Sequence, residues 1–223
     1  MRHSGNLGWD GLLRVVGIYR IKEMSMKNFS DGELDSALIA TIHHESFLMK
    51  ASHDAFVRLG QKQIVSELSA VEQVQLFSSY TSFLHHLYEL SVACFMRDQG
   101  SDEGFSGRPG SVKKDKLFQA EASRVFRGFV DRLQSGQGEG WENDISYYDV
   151  EIPTDFGEKF RKVRNFTAHA ITDRTAGAID LSDFYADYHK YVYELYRSLH
   201  RYWGRFNVEN LDMKSISRFT VNV

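Results

Sequence analysis

An all-α fold, an antiparallel bundle of four to five helices, is what the chain predicts. Three observations carry this expectation. The 223 residues include only 2 Pro, apolar side chains recur at three- and four-residue steps over long stretches, and Gly-, Ser- or Pro-bearing breaks separate those stretches. With 42% hydrophobic and 13% aromatic residues, the chain can build one packed core. No internal repeat or second domain is visible. The domain is expected over 31–204, after a leader at 1–30 that lacks a sustained helical period and before a tail at 205–223.

The first helix is expected from Ser30 and Asp31 to a stop at Gly60, with Leu34, Leu38, Ile42, Leu48 or Met49, Ala55 or Phe56, and Leu59 recurring at three- and four-residue steps. A second is expected over 69–97, where Phe77, Tyr80, Leu84, Leu87, Ser91 and Cys94 repeat about every 3.5 residues. The two should pair as an antiparallel hairpin. A flexible loop is expected over 99–116, which is polar and carries Pro109. Lys113, Lys114, Asp115 and Lys116 at its end read as a solvated helix start.

A third helix follows over 117–133, with Phe118, Ala122, Val125, Phe129 and Leu133 inward. Gly136, Gly138 and Gly140 end it and open a second flexible loop, 134–153, whose acidic, aromatic stretch 141–152 suits a lid or a partner-facing loop. Asp155 and Glu158 then have the spacing of a capping box, starting a helix that runs to Ile171. The last helix, 180–203, shows the cleanest amphipathic pattern and stops at Gly204.

Composition narrows the function classes. A net charge of −3 argues against a general nucleic-acid coating protein, so any RNA contact must be local. The single cysteine, Cys94, lies in an apolar helical run and reads as a small core residue, compatible with a reducing cytoplasm. No run approaches the roughly 18 apolar residues of a membrane span, and Arg14 and Arg20 interrupt the apolar stretch near the start. The expectation is a cytoplasmic protein without signal peptide or membrane anchor.

The stretch with chemistry in it is 158–171. On a helix, Arg161, Arg164, Asn165, Ala168 and His169 share one face, while Phe160, Val163, Thr167, Ala170 and Ile171 share the other, with Phe156 one turn earlier. A basic, hydrogen-bonding face is thereby fixed to a rigid element. Arg164 to His169 resembles the signature of the HEPN superfamily of helical ribonucleases, an Arg, a polar residue directly after it, and a His four to six residues on. The resemblance covers this motif and the coarse helical layout, including the long helix that follows.

The resemblance implies a HEPN-like bundle that cleaves RNA without metal or other cofactor, by attack of the 2′-hydroxyl on the neighbouring phosphate. Arg164, Asn165 and His169 would be catalytic and Arg161 would bind RNA. His169 has an ordinary pKa near neutrality and would carry the proton; Arg164 would hold phosphate oxygens and the developing charge. One helix supplies one Arg and one His, so a homodimer with two motifs facing one groove is expected. A toxin-like or anti-phage (abortive-infection) role, checked by an antitoxin partner, belongs to the same expectation. The alternative is a noncatalytic HEPN-like module that binds protein or nucleotide.

Paired histidines, His43 and His44 beside Glu45, and His85 and His86 near Glu89, invite a metal reading. Adjacent residues on a helix point about 100° apart, and neither helix has the Glu-x-x-His spacing of di-iron bundles. No metal site is expected.

Overall fold

The computed structural model describes residues 32–168 and 180–203, apart from the side chains of 167–168 and 200–203. His169, Ala170, Ile171, Gly204, the 1–30 leader, the 205–223 tail and the side chains of Thr167 and Tyr202 therefore lie outside the described residues. The described residues form six helices, α1 (Gly32–Val65), α2 (Ala70–Gln99), α3 (Gly107–Gln134), α4 (Ile145–Tyr148), α5 (Phe156–Ala168) and α6 (Leu181–Trp203). No strand occurs among the described residues. The expected all-α class holds among the described residues, with six helices where four to five were expected, one of them, α4, a single turn. None of the described helices is long and apolar enough to cross a membrane.

α1 and α2 form the expected hairpin, but α1 does not stop at Gly60. A lone glycine inside a helix costs only about 1 kcal/mol relative to alanine, and the stronger signal lies beyond it. Ser69 and Glu72 form a capping box, the Ser69 N–H donating to Glu72 Oε2 at 3.0 Å and the Glu72 N–H to Ser69 Oγ at 3.4 Å. α2 ends at Gly100, whose φ of 69° places it in the left-handed region.

α2 carries a broad buried face: Phe83, Leu84, Leu87, Tyr88 and Leu90 share one wide stripe, and Val92 and Ala93 are buried beyond it. Phe77, expected inward, is 43% exposed near the tip of the hairpin, as the buried residues of α2 begin only at Ser79. Ile64, Val65, Val71 and Val74 are exposed on the same tip.

The loop expected over 99–116 is confined to 100–106. Pro109 falls in the first turn of α3, where its missing N–H has no acceptor to satisfy, so it is compatible with the helix. Gly110 permits the approach of the Phe105 backbone: a Cβ there would stand 2.3 Å from the Phe105 carbonyl carbon. The 141–152 stretch is likewise anchored. Asp144 caps α4 by accepting from the Ser146 N–H at 2.9 Å, and the buried Tyr148 stacks on Phe129 with centroids 4.5 Å apart. Ile152 is buried too, and Tyr147 and Val150 pack partly buried against the core.

Phe156, Phe160, Val163 and Phe166 form the buried stripe of α5. The capping box expected at its start does not form. The Asp155 carboxylate instead accepts from the Tyr188 hydroxyl at 3.1 Å, and Glu158 pairs with Lys162 at 2.6 Å. α5 lies beside α6, with Phe156 and Phe160 stacking on Tyr188 and Phe184, and it also packs on α2 and α3.

Candidate functional site

α5 sets the site by burying its phenylalanine stripe and turning Arg161, Arg164 and Asn165 toward α2 and α3. The crossing is close at one glycine. A Cβ on Gly157 would come within 2.1 Å of the Asp115 carbonyl oxygen, so α5 meets the α3 backbone at this point only without a side chain. One turn further along α5, the Arg161 guanidinium forms a two-pronged bond to Asp115, Nε and Nη2 donating at 2.8 and 2.9 Å. This hydrogen bond raises the arginine's pKa above its already high value.

Arg164 is held from α2. Its Nη2 pairs with Glu89 Oε1, its Nη1 donates to Asn165 Oδ1 at 3.0 Å, and its guanidinium lies 5.7 Å from the centroid of the Tyr88 ring. The side chain is 22% exposed, so it is fixed yet open to a ligand. The structure thus brings together three of the four expected site residues, Arg161, Arg164 and Asn165. The fourth, His169, lies outside the described residues.

These side chains border a cleft of about 120 Å³ between α2, α3 and α5, whose lining includes Tyr88, Glu89, Lys114, Arg161, Arg164 and Asn165. A longer groove of about 760 Å³ runs beside it between α3 and the start of α5, with Arg108, Lys116, Gln119, Thr154 and Glu158 in its walls. Ser111 and Arg161 border both. Lys114 and Lys116, expected as part of a solvated helix start, are cations of this surface.

The paired histidines are divided between local roles. His86 Nδ1 stands 2.8 Å from Glu45 Oε2, and His44 Nδ1 is 3.6 Å from Glu45 Oε1. His85 is pushed toward the neutral form, first by burial and then by the Arg164 charge. Among the described residues, no three His, Cys, Asp or Glu side chains come together as a metal site.

Tyr88, Glu89 and Asp115 are site residues that the sequence does not assign to this site, Glu89 reading only as a neighbour of His85 and His86 and Asp115 only as part of a helix start. A signal existed for Asp115, since a glycine four residues before Arg161 lets a neighbouring helix come close to the arginine. Tyr88 and Glu89 had only their places on α2.

Compared with known proteins, the chain matches no family model, no curated protein and no solved structure. What it can do rests on its own residues.

Proposed function

We propose that the chain is a metal-independent endoribonuclease of HEPN type, cutting RNA by attack of a 2′-hydroxyl on the adjoining phosphate. The observation that carries this reading is the pairing of Arg164 and Asn165 on α5, locked to each other and part-exposed beside a small polar cleft. A planar guanidinium held in place suits phosphate oxygens and the added negative charge of a pentavalent transition state. His169, in this reading, carries the proton that leaves the attacking hydroxyl or joins the departing 5′-oxygen. A single chain brings one such histidine, so a homodimer would supply both a base and an acid. A toxin-like or anti-phage role with an antitoxin partner completes the proposal.

A second reading has its own observation. Arg161 and Arg164 each already face a carboxylate, Asp115 and Glu89, as they would if they served to join α5 to the bundle. This favours a noncatalytic module that binds protein or nucleotide.

One experiment separates the two. Total RNA is incubated in EDTA with wild type, His169→Ala and Arg164→Ala. The ribonuclease reading expects cleavage that survives chelation, leaves 2′,3′-cyclic phosphate ends and spares DNA, which lacks the nucleophile. Each substitution should slow it by at least about 100-fold. No cleavage by any variant would establish the binding module, and equal cleavage by all three would expose a contaminant.

A further inference from the structure

Tyr88 is 3% exposed, and its hydroxyl oxygen is buried with no hydrogen-bond partner from the protein. Its ring is tightly placed, stacked on Phe118 at 4.7 Å between centroids and meeting Phe160 edge-on at 5.4 Å. Burying a polar group without a partner is unfavourable, and such a group on the wall of a cleft points to something that enters the cleft. Asp115, Arg161, Glu89 and Arg164 all act electrostatically on this hydroxyl, so it stands amid the site's charges. Burial, followed by the Asp115 charge, raises its pKa and keeps it an O–H donor at any ordinary pH.

We propose that the cleft between α2, α3 and α5 receives one phosphate group of an RNA strand, and that the Tyr88 hydroxyl donates to one of its oxygens. This rests on the ribonuclease reading and names further residues for the same site. Size and chemistry together suit a compact oxyanion. At about 120 Å³ the cleft is far smaller than a pocket for a drug-sized molecule, typically about 300–1,000 Å³, and its lining offers Lys114, Arg164 and Asn165 to an anion. The adjoining groove, about 760 Å³, falls within that range and carries Arg108 and Lys116 for the neighbouring nucleotides.

Donors for the incoming oxyanion are at hand although both arginines are engaged. Lys114 lines the cleft and pairs with no carboxylate among the described residues. Asn165 accepts from Arg164 through Oδ1, which leaves its amide N–H groups to donate. Glu89 opposes the ligand, since it is the anion that Arg164 now holds. A phosphate must compete with it, and removing its charge should favour the phosphate.

The test titrates the full chain with inorganic phosphate, followed by amide chemical shifts, and with a 2′-O-methyl hexanucleotide, which cannot be cut by 2′-hydroxyl attack. Both should bind wild type, with shifts confined to α2, α3 and α5 around the cleft. Tyr88→Phe keeps the ring stacks and should weaken both ligands about 10-fold. Lys114→Gln, at a part-exposed position, should weaken the hexanucleotide by a smaller factor, whereas Glu89→Gln should tighten it. Unchanged binding of both ligands by Tyr88→Phe would overturn the proposal, and phosphate binding without hexanucleotide binding would overturn the assignment to RNA. A chain that binds the hexanucleotide in a Tyr88-dependent way but cuts no RNA would retain the phosphate cleft and remove the ribonuclease reading. Cleavage with Tyr88-independent binding would do the reverse.

Discussion

Two clusters of arginine and carboxylate flank α3, and they use the same residue types for different ends. In one, Arg197 reaches Glu194 with both oxygens at 3.0 Å, and Arg132 pairs with Glu142. Glu194 is completely buried, and the Arg197 guanidinium lies 4.6 Å from the Trp141 ring. In the other, Arg161 with Asp115 and Arg164 with Glu89 edge a cleft, and every one of the four side chains keeps part of its surface in solvent. Aromatic cover makes the first cluster a lock that joins α6 to the 141–148 segment. The second is left uncovered on one side, so its charges remain available to a ligand.

Deleting one charge from each cluster should separate them sharply. Glu194→Gln leaves Arg197 buried beside a neutral amide, and loss of one partner from a buried pair typically costs about 3–5 kcal/mol. Urea unfolding should show a loss of that size, and a loss below about 1 kcal/mol would mean that water reaches the cluster and that the contrast is misplaced.

Gly157→Ala tests how the open cluster is held. Its methyl group would stand 2.1 Å from the Asp115 carbonyl oxygen, so α5 must move away from α3. Overpacking of this kind costs about 1–3 kcal/mol. Thermal unfolding should register it, and the Arg161 to Asp115 bond should loosen. Unchanged stability would show that the two helices can separate freely.

The smallest effect is expected from Glu89→Gln. A part-exposed ion pair contributes about 0–1 kcal/mol, so stability by urea should barely change even though Arg164 loses its anion. A loss near that of Glu194→Gln would make the second cluster a structural lock as well, and would favour the noncatalytic reading of Arg164.

The helical class and the α5 face were readable because both are local. Phe156, Phe160 and Val163 on one side, with Arg161, Arg164 and Asn165 on the other, follow from a period of 3.6 residues alone. What escaped came from residues far apart in the chain. Tyr88, Glu89 and Asp115 look like ordinary helix positions until α5 docks on α2 and α3, and periodicity carries no information about that docking. Local signals also misled where two rules competed. Pro109 reads as a breaker but sits in the first turn of α3, Gly60 reads as a stop but is passed by α1, and Asp155 reads as a cap but its carboxylate takes the Tyr188 hydroxyl. Phe77 follows the core repeat of α2 and yet is exposed, because the repeat alone does not say where along the helix the core begins.

The α1–α2 hairpin closes through the short 66–69 turn, whereas the cleft needs α2, α3 and α5 together. Contacts between near neighbours in sequence form quickly, and those that close long loops form later. During synthesis, a chain that has emerged only as far as α3 can hold the finished hairpin while Arg164 has not yet met Glu89. The site is therefore complete only once α5 has been made and docked, so whatever it binds cannot be held by a growing chain that ends before α5.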